Sequence, residues 1–246
     1  MTSSGSRPLD RPTRLSWHRR RLHPHHARGL RLTLAVAAAF LALVPFTLLA
    51  LLVLSAWSPL RRLDDTVTGT LVGYGVDHPS WTRAMNLWTD LFGPMPLRVG
   101  ALLLVLWLVG RGARQLALWS ATTMTVGGLL GPLLKLLVGR PRPAFPEPLA
   151  QAVGLAFPSG HALNATLAAG VLLVVCFARA TRPAGRYAAC AAALLLTGVT
   201  GFSRVALGVH WTTDVVAGWL LGAAVVAGFT VWRVVPPTLH PPSSAR

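Results

Sequence analysis

The chain has 246 residues, of which 53% are hydrophobic and only 12% charged, and 23 Lys and Arg against seven Asp and Glu give a formal net charge of +16. So apolar a composition excludes an ordinary soluble domain and points to a membrane protein. A surplus of positive charge would also suit a nucleic-acid binder, but here it gathers at the ends of apolar runs, so no nucleic-acid partner is expected.

Residues 1–31 combine eight arginines and four histidines (His18, His23, His25, His26) with prolines and little apolar content, which predicts a disordered cytoplasmic tail. The histidines read as solvated side chains at an anionic membrane face, not as metal ligands. Leu32 to Trp57 then runs 26 residues without an ionisable side chain, enough for a helix to cross about 30 Å of hydrocarbon. The run exceeds the roughly 7–15 apolar residues of a secretory signal, so it is read as an uncleaved anchor.

Ser58 to Pro96 forms the longest external loop and carries Asp64, Asp65, Asp77 and Asp90. Its "LDDTVTGTLVGYG" portion predicts a short amphipathic helix at the interface, with Trp81 and Trp88 as anchors. These acids have no basic or histidine motif beside them, so they are assigned structural or solvating roles. A second span ends at Gly110 and reaches crossing length only if it starts near Leu91, which places Arg98 inside it or at its outer edge.

Four further spans follow: Gln115–Leu134, Ala162–Ala178, Tyr187–Ser203 and Val215–Trp232. The sequence thus predicts an all-α six-transmembrane helical bundle over 32–233, with a short external amphipathic helix and a proline-rich cytoplasmic tail over 234–246. With the N-terminus inside, 15 Lys and Arg fall on the inner side and 8 on the outer. The positive-inside rule then makes both termini cytoplasmic in a multi-pass protein of the cell membrane. Cys176 and Cys190 lie near inner span ends and are expected to be buried free thiols.

Ionisable residues at span ends are costly, about 2.5–3.5 kcal/mol each at a helix centre, and mark sites. Counting crossings brings three such groups to the outer face: Lys135 with Arg142 after the third span, "FPSGH" opening the fourth, and "SRVALGVHWTTD" joining the last two. Lys135 is the only lysine in the chain. Together with Arg140, Arg142 and Arg204 it would repel a divalent cation and attract an oxyanion, so neither a metal nor another cofactor is expected. Ser159 is placed as an N-cap, with Gly160 and His161 in a first turn whose free N–H groups suit an anion. His210 and Asp214 are four residues apart, a spacing at which a carboxylate can fix an imidazole tautomer. Two histidines facing one phosphate suggest a nucleophile and a general acid.

Lys135, Arg142 and Pro143 in "KLLVGRPRP", Pro158 to His161 in "PSGH", and Ser203, Arg204, His210 and Asp214 in "SRVALGVHWTTD" together resemble the type 2 phosphatidic acid phosphatase (PAP2) superfamily. Residue types and spacings match its pattern without departure. The resemblance implies metal-independent hydrolysis of a lipid phosphate or diphosphate, with His210 as nucleophile, Asp214 orienting it and His161 as general acid. Lys135, Arg142, Arg204, Ser159 and the Gly160 N–H would hold the phosphate. In similar bacterial enzymes the substrates are isoprenyl diphosphates, phosphatidic acid or phosphatidylglycerol phosphate on the extracytoplasmic leaflet. A lipid phosphotransferase, or a non-catalytic lipid-phosphate binder or transporter, is the alternative on the same scaffold.

Overall fold

The computed structural model describes residues 24–179 and 182–234. Among the described residues eight helices follow in chain order: α1 Pro24–Leu54, α2 Ser58–Asp77, α3 Pro79–Leu91, α4 Pro94–Gly110, α5 Arg114–Val138, α6 Gly160–Arg179, α7 Pro183–Ala206 and α8 Thr212–Val234. Six helical stretches are long and apolar enough to cross a bilayer: Leu32–Leu54, Pro79–Gly110, Arg114–Val138, Gly160–Arg179, Pro183–Ala206 and Thr212–Val231. The chain is therefore an all-α, multi-pass membrane protein. Large apolar side chains such as Phe40, Leu41, Leu129, Leu136 and Leu194 point outward, as lipid-facing positions should.

Residues 1–23 and 235–246, which hold most of both expected tails with His18 and His23, lie outside the described residues, as do the side chains of His25 and His26. The first helix starts at Pro24, not Leu32. Proline has a pre-set helical φ at a first turn, and a span once nucleated extends cheaply through Ala, Arg and Leu.

The segment after the first span is richer in helix than its sequence suggested. One short amphipathic helix was expected; α2 and α3 together cover 58–91, each opening on a proline in its first turn. Asp64, Thr68, Val72 and Gly75 form the buried face of α2, at the four- and three-residue steps of one helix side. Trp81 and Trp88 do not serve as outward interfacial anchors. Trp88 Nε1 donates to Thr200 Oγ1 on α7 at 3.0 Å, and Trp81 meets Phe202 edge-on. A half-buried indole N–H needs an acceptor, and α7 supplies one to Trp88. Cys176 and Cys190 are free but half-buried, not fully buried.

Helix α6 is the hub: half of its span is buried, and it touches α4, α5, α7 and α8. Small residues let its neighbours come close. A Cβ at Gly127 of α5 would lie 2.5 Å from Leu167, and one at Gly218 of α8 would lie 2.7 Å from the Ser159 carbonyl. Phe157, just ahead of α6, is fully buried and stacks with Phe46 of α1 at 6.1 Å. The start of α6 is thus wedged among its neighbours, at the end of the bundle where α5 and α7 finish and α8 begins.

Candidate active site

Each of the three sequence groups arrives by a defined turn. Lys135 sits in the last turn of α5, which stops at Gly139 in the left-handed region (φ 66°), its N–H bonded to the Lys135 carbonyl at 2.9 Å. This leaves "RPRP" outside the helix. Arg204 sits in the last turn of α7, and its carbonyl accepts the N–H groups of Val209 at 3.1 Å and His210 at 3.2 Å. Gly208 (φ 67°) permits that tight return, and a Cβ there would meet Val72 at 2.7 Å and Phe145 at 3.1 Å. His210 is therefore fixed two residues ahead of α8.

His210 and Asp214 are both buried, and His210 Nδ1 lies 3.3 Å from Asp214 Oδ2. The helix has not yet begun at His210; Asp214, in the first turn of α8, reaches back to it. Its Oδ2 also accepts the Trp211 N–H at 2.9 Å, which satisfies a donor left open at the helix start. On the other side, Arg142 Nη1 is 3.0 Å from His210 Nε2. A guanidinium only donates, so Nε2 must offer its lone pair and Nδ1 carries the proton given to Asp214. Burial pushes the His210 pKa well below its ordinary 6.5, and the charges of Arg142, Lys135 and Arg204 push the same way. The imidazole is held neutral, with its Nε2 lone pair turned to the Arg142 guanidinium.

Asp214 is held in turn. Its Oδ1 accepts from Arg140 Nη1 at 2.7 Å, and Arg140 Nη2 donates to Asp64 Oδ2 at 2.7 Å. Asp64 Oδ1 accepts the Thr213 N–H at 3.0 Å, the Thr213 hydroxyl bonds Asp64 Oδ2 at 2.6 Å, and Arg140 Nη1 also reaches Thr213 Oγ1 at 2.6 Å. Arg140 thus lies between two carboxylates. It was counted among four cations facing an anion, and that count falls to three because Asp64 and Asp214 neutralise it. Asp64 was not singled out in the sequence because its partner Arg140 is 76 residues away. The inward polar stripe from Asp64 to Thr68 was the available signal.

The other residues converge on the same end of the bundle. Lys135 Nζ donates to the Leu155 carbonyl and, at 3.4 Å, to that of Ala156. Arg142 donates to the carbonyls of Gly154 (3.0 Å), Val153 (3.2 Å) and Val209 (2.6 Å). Arg204 Nη1 bonds Thr89 Oγ1 of α3 at 3.0 Å, which makes Thr89 a second residue sequence reasoning missed. Ser159 stands at the N-cap position of α6 but makes no cap bond: its N–H goes to the Asp214 carbonyl at 2.9 Å, and its buried hydroxyl has no partner among the described residues. Arg204 Nε is likewise buried without a partner. His161 interacts electrostatically with His210, Arg204, Arg142 and Lys135, and a Cβ on Gly93 would lie 3.5 Å from its Nε2. Two buried donors without acceptors, beside three cations, form a place an oxyanion would satisfy.

Two measurements check this geometry. Histidine-labelled protein in detergent, compared with His210→Asn by NMR, should show a His210 resonance with no titration step around 6.5; a step there would contradict the neutral assignment. Because its folded pKa is lowered, His210 adds stability that is complete above 6.5 and is lost as pH falls towards the folded value. Breaking the buried pair by Asp64→Asn should cost roughly 3 kcal/mol of stability and lower activity, whereas Asp65→Asn at the exposed neighbour should do neither.

The chain is similar to known proteins. Residues 116–236 match the family model described as the PAP2 superfamily. An undecaprenyl-diphosphatase of Sulfolobus acidocaldarius is 30% identical over 121 residues, which are 47% of this chain and 54% of that protein. The chain thus spans about half the length of the curated relative it matches. A crystal structure of a transmembrane PAP2 type phosphatidylglycerolphosphate phosphatase from Bacillus subtilis superposes with a TM-score of 0.64 at 26% identity, covering 76% of this chain and 94% of that one. Residues 116–236, which contain Lys135, Arg142, His161, Arg204, His210 and Asp214, are thus the part of the chain that matches the PAP2 superfamily.

Proposed function

We propose that this protein is an integral-membrane phosphatase that hydrolyses lipid phosphates or isoprenyl diphosphates at the extracytoplasmic face through a phosphohistidine on His210. The observation that carries the reading is the polarised imidazole: Nδ1 bonded to Asp214, Nε2 bearing its lone pair beside Arg142. The Nε2 lone pair attacks phosphorus, the bond from phosphorus to the lipid oxygen breaks, and His161, protonated once the bound phosphate offsets the surrounding cations, gives that oxygen its proton. Water then loses a proton to His161 and attacks, the P–N bond breaks, and inorganic phosphate leaves. Lys135, Arg142, Arg204, the Ser159 hydroxyl and the Gly160 N–H stabilise the charge on the non-bridging oxygens, where one lost donor costs roughly 10²- to 10³-fold. Three cations around the phosphate supply the charge that a divalent metal supplies elsewhere, so the reaction is metal-independent. The named activities of the two relatives support a lipid phosphate or diphosphate as substrate.

Purified protein should release phosphate from farnesyl diphosphate or dioctanoyl phosphatidic acid in the presence of a chelator. Acid-labile radiolabel from the transferred phosphate should be trapped on wild-type protein and not on His210→Ala. Equal labelling of His210→Ala would remove the nucleophile assignment. Asp214→Asn should lower kcat by roughly 10³- to 10⁴-fold, as loss of the orienting carboxylate does in related constellations.

The side of the membrane rests on the distribution of 15 against 8 basic residues. Intact cells producing the protein should hydrolyse an added membrane-impermeant phosphate ester, and activity that appears only after the membrane is opened would reverse the orientation.

A further inference from the structure

Arg98 is the one ionisable side chain in α4, and the mechanism above does not use it. A lone arginine near a span end normally extends its tip towards water and headgroups. This one stays exposed but is tied to the bundle: Nε donates to Asn164 Oδ1 at 3.0 Å, and Asn164, 2% exposed, donates from Nδ2 to the Gly160 carbonyl at 2.8 Å. Among the described residues the two Nη groups have no hydrogen-bond partner. They border a groove of about 330 Å³ between α4 and α5 that opens to the lipid-facing surface, lined below Arg98 by Ala101, Leu102 and Val105 and across from it by Ala121, Met124 and Leu129, of which Leu102 and Leu129 are exposed. Nη2 faces Gly128, where a Cβ would lie 3.5 Å away. From Arg98 to Val105 the groove descends about 10 Å along α4, apolar in every lining residue below the guanidinium except Thr125.

The position relative to the two histidines gives Arg98 its meaning. Gly93, just ahead of α4, lies against His161 Nε2, and Asn164 is one turn beyond His161 on α6. Arg98 therefore sits about one helical turn below the general acid. In a displacement whose attacking and departing atoms are in line, whatever is bonded to the departing oxygen lies on the acid's side, away from the nucleophile. A chain leaving the phosphate on that side passes Arg98 first and the apolar groove next.

We infer that Arg98 and the groove beneath it form the leaving-group subsite, and that Arg98 selects lipids in which a second phosphate links the hydrocarbon chain to the transferred phosphoryl group. The groove takes the first segment of the chain, and the free Nη groups take the oxygens of the linking phosphate, a fork-to-phosphate match that a neutral ester does not make. The preferred class is a lipid diphosphate, which departs as a lipid monophosphate stabilised by Arg98. A phosphatidate, whose departing oxygen belongs to a glycerol ester, gains nothing from that charge. This inference rests on the phosphatase reading above.

The test is the ratio of kcat/KM for farnesyl diphosphate to that for dioctanoyl phosphatidic acid, read on purified full-length protein in detergent. A partly unfolded preparation lowers both rates together and leaves the ratio unchanged. Arg98→Gln should lower the ratio about 10- to 100-fold, the worth of a charge-assisted contact, with the phosphatidate rate within about twofold of wild type. Gly128→Val, which keeps the charge but closes the space at Nη2, should lower the ratio in the same direction and serves if Arg98→Gln is not recovered folded. An unchanged ratio in the recovered variants, whether both rates fall together or neither moves, would overturn the inference and leave Arg98 a structural clasp on Asn164. Absence of phosphate release from both substrates by wild-type protein would instead overturn the phosphatase reading itself.

Discussion

The site depends on one carboxylate. Asp214 is fully buried, and its two oxygens do different work: Oδ2 holds the His210 ring and the opening N–H of α8, while Oδ1 is gripped by Arg140. An ionised carboxylate in so dry a place is tolerated only if its lone pairs are met, and Arg140 meets them only because Asp64 balances its other edge. The chain of contacts crosses three segments far apart in sequence: α2, the loop after α5, and the start of α8. Pulling any one away would leave a charge unpaired in a poorly solvated region, so these segments hold each other in register.

This arrangement also explains where the membrane fold spends its polar residues. Lipid offers no partners, so charges gather where three helix ends and two loops create an enclosed polar layer. Close crossings at Gly127 and Gly218 seat α6 deep enough for its first turn to enter that layer. The packing of small residues in the spans and the chemistry of Ser159 and His161 are therefore one problem. A bulkier α8 would displace the very loop that presents the anion donors.

Much of this was legible in the sequence. Six apolar runs and their parity by themselves bring Lys135, Arg142, His161, Arg204, His210 and Asp214 to one end of the bundle. What remained hidden was the second rank of residues. Asp64 looked like one of several loop acids because its partner lies in another segment, and Thr89 looked like an ordinary helix residue because Arg204 reaches it only through tertiary packing. Arg140 looked like a free cation because a sequence displays charges but not their neutralisation. Periodicity reports which face is turned inward; it does not report what waits there.

The loop carbonyls of residues 153–156 carry a further consequence. Lys135 and Arg142 are already bonded to them, so an arriving phosphate does not meet bare cations but enters an exchange, taking donors from four peptide oxygens. Its net affinity is the difference between two sets of bonds. In the proposed reaction, once the phosphate is freed from its lipid, the same peptide oxygens compete for the same donors. An internal competitor of this kind moderates how tightly an inorganic product is retained, and it is built from backbone, so no side-chain substitution in that loop removes it directly.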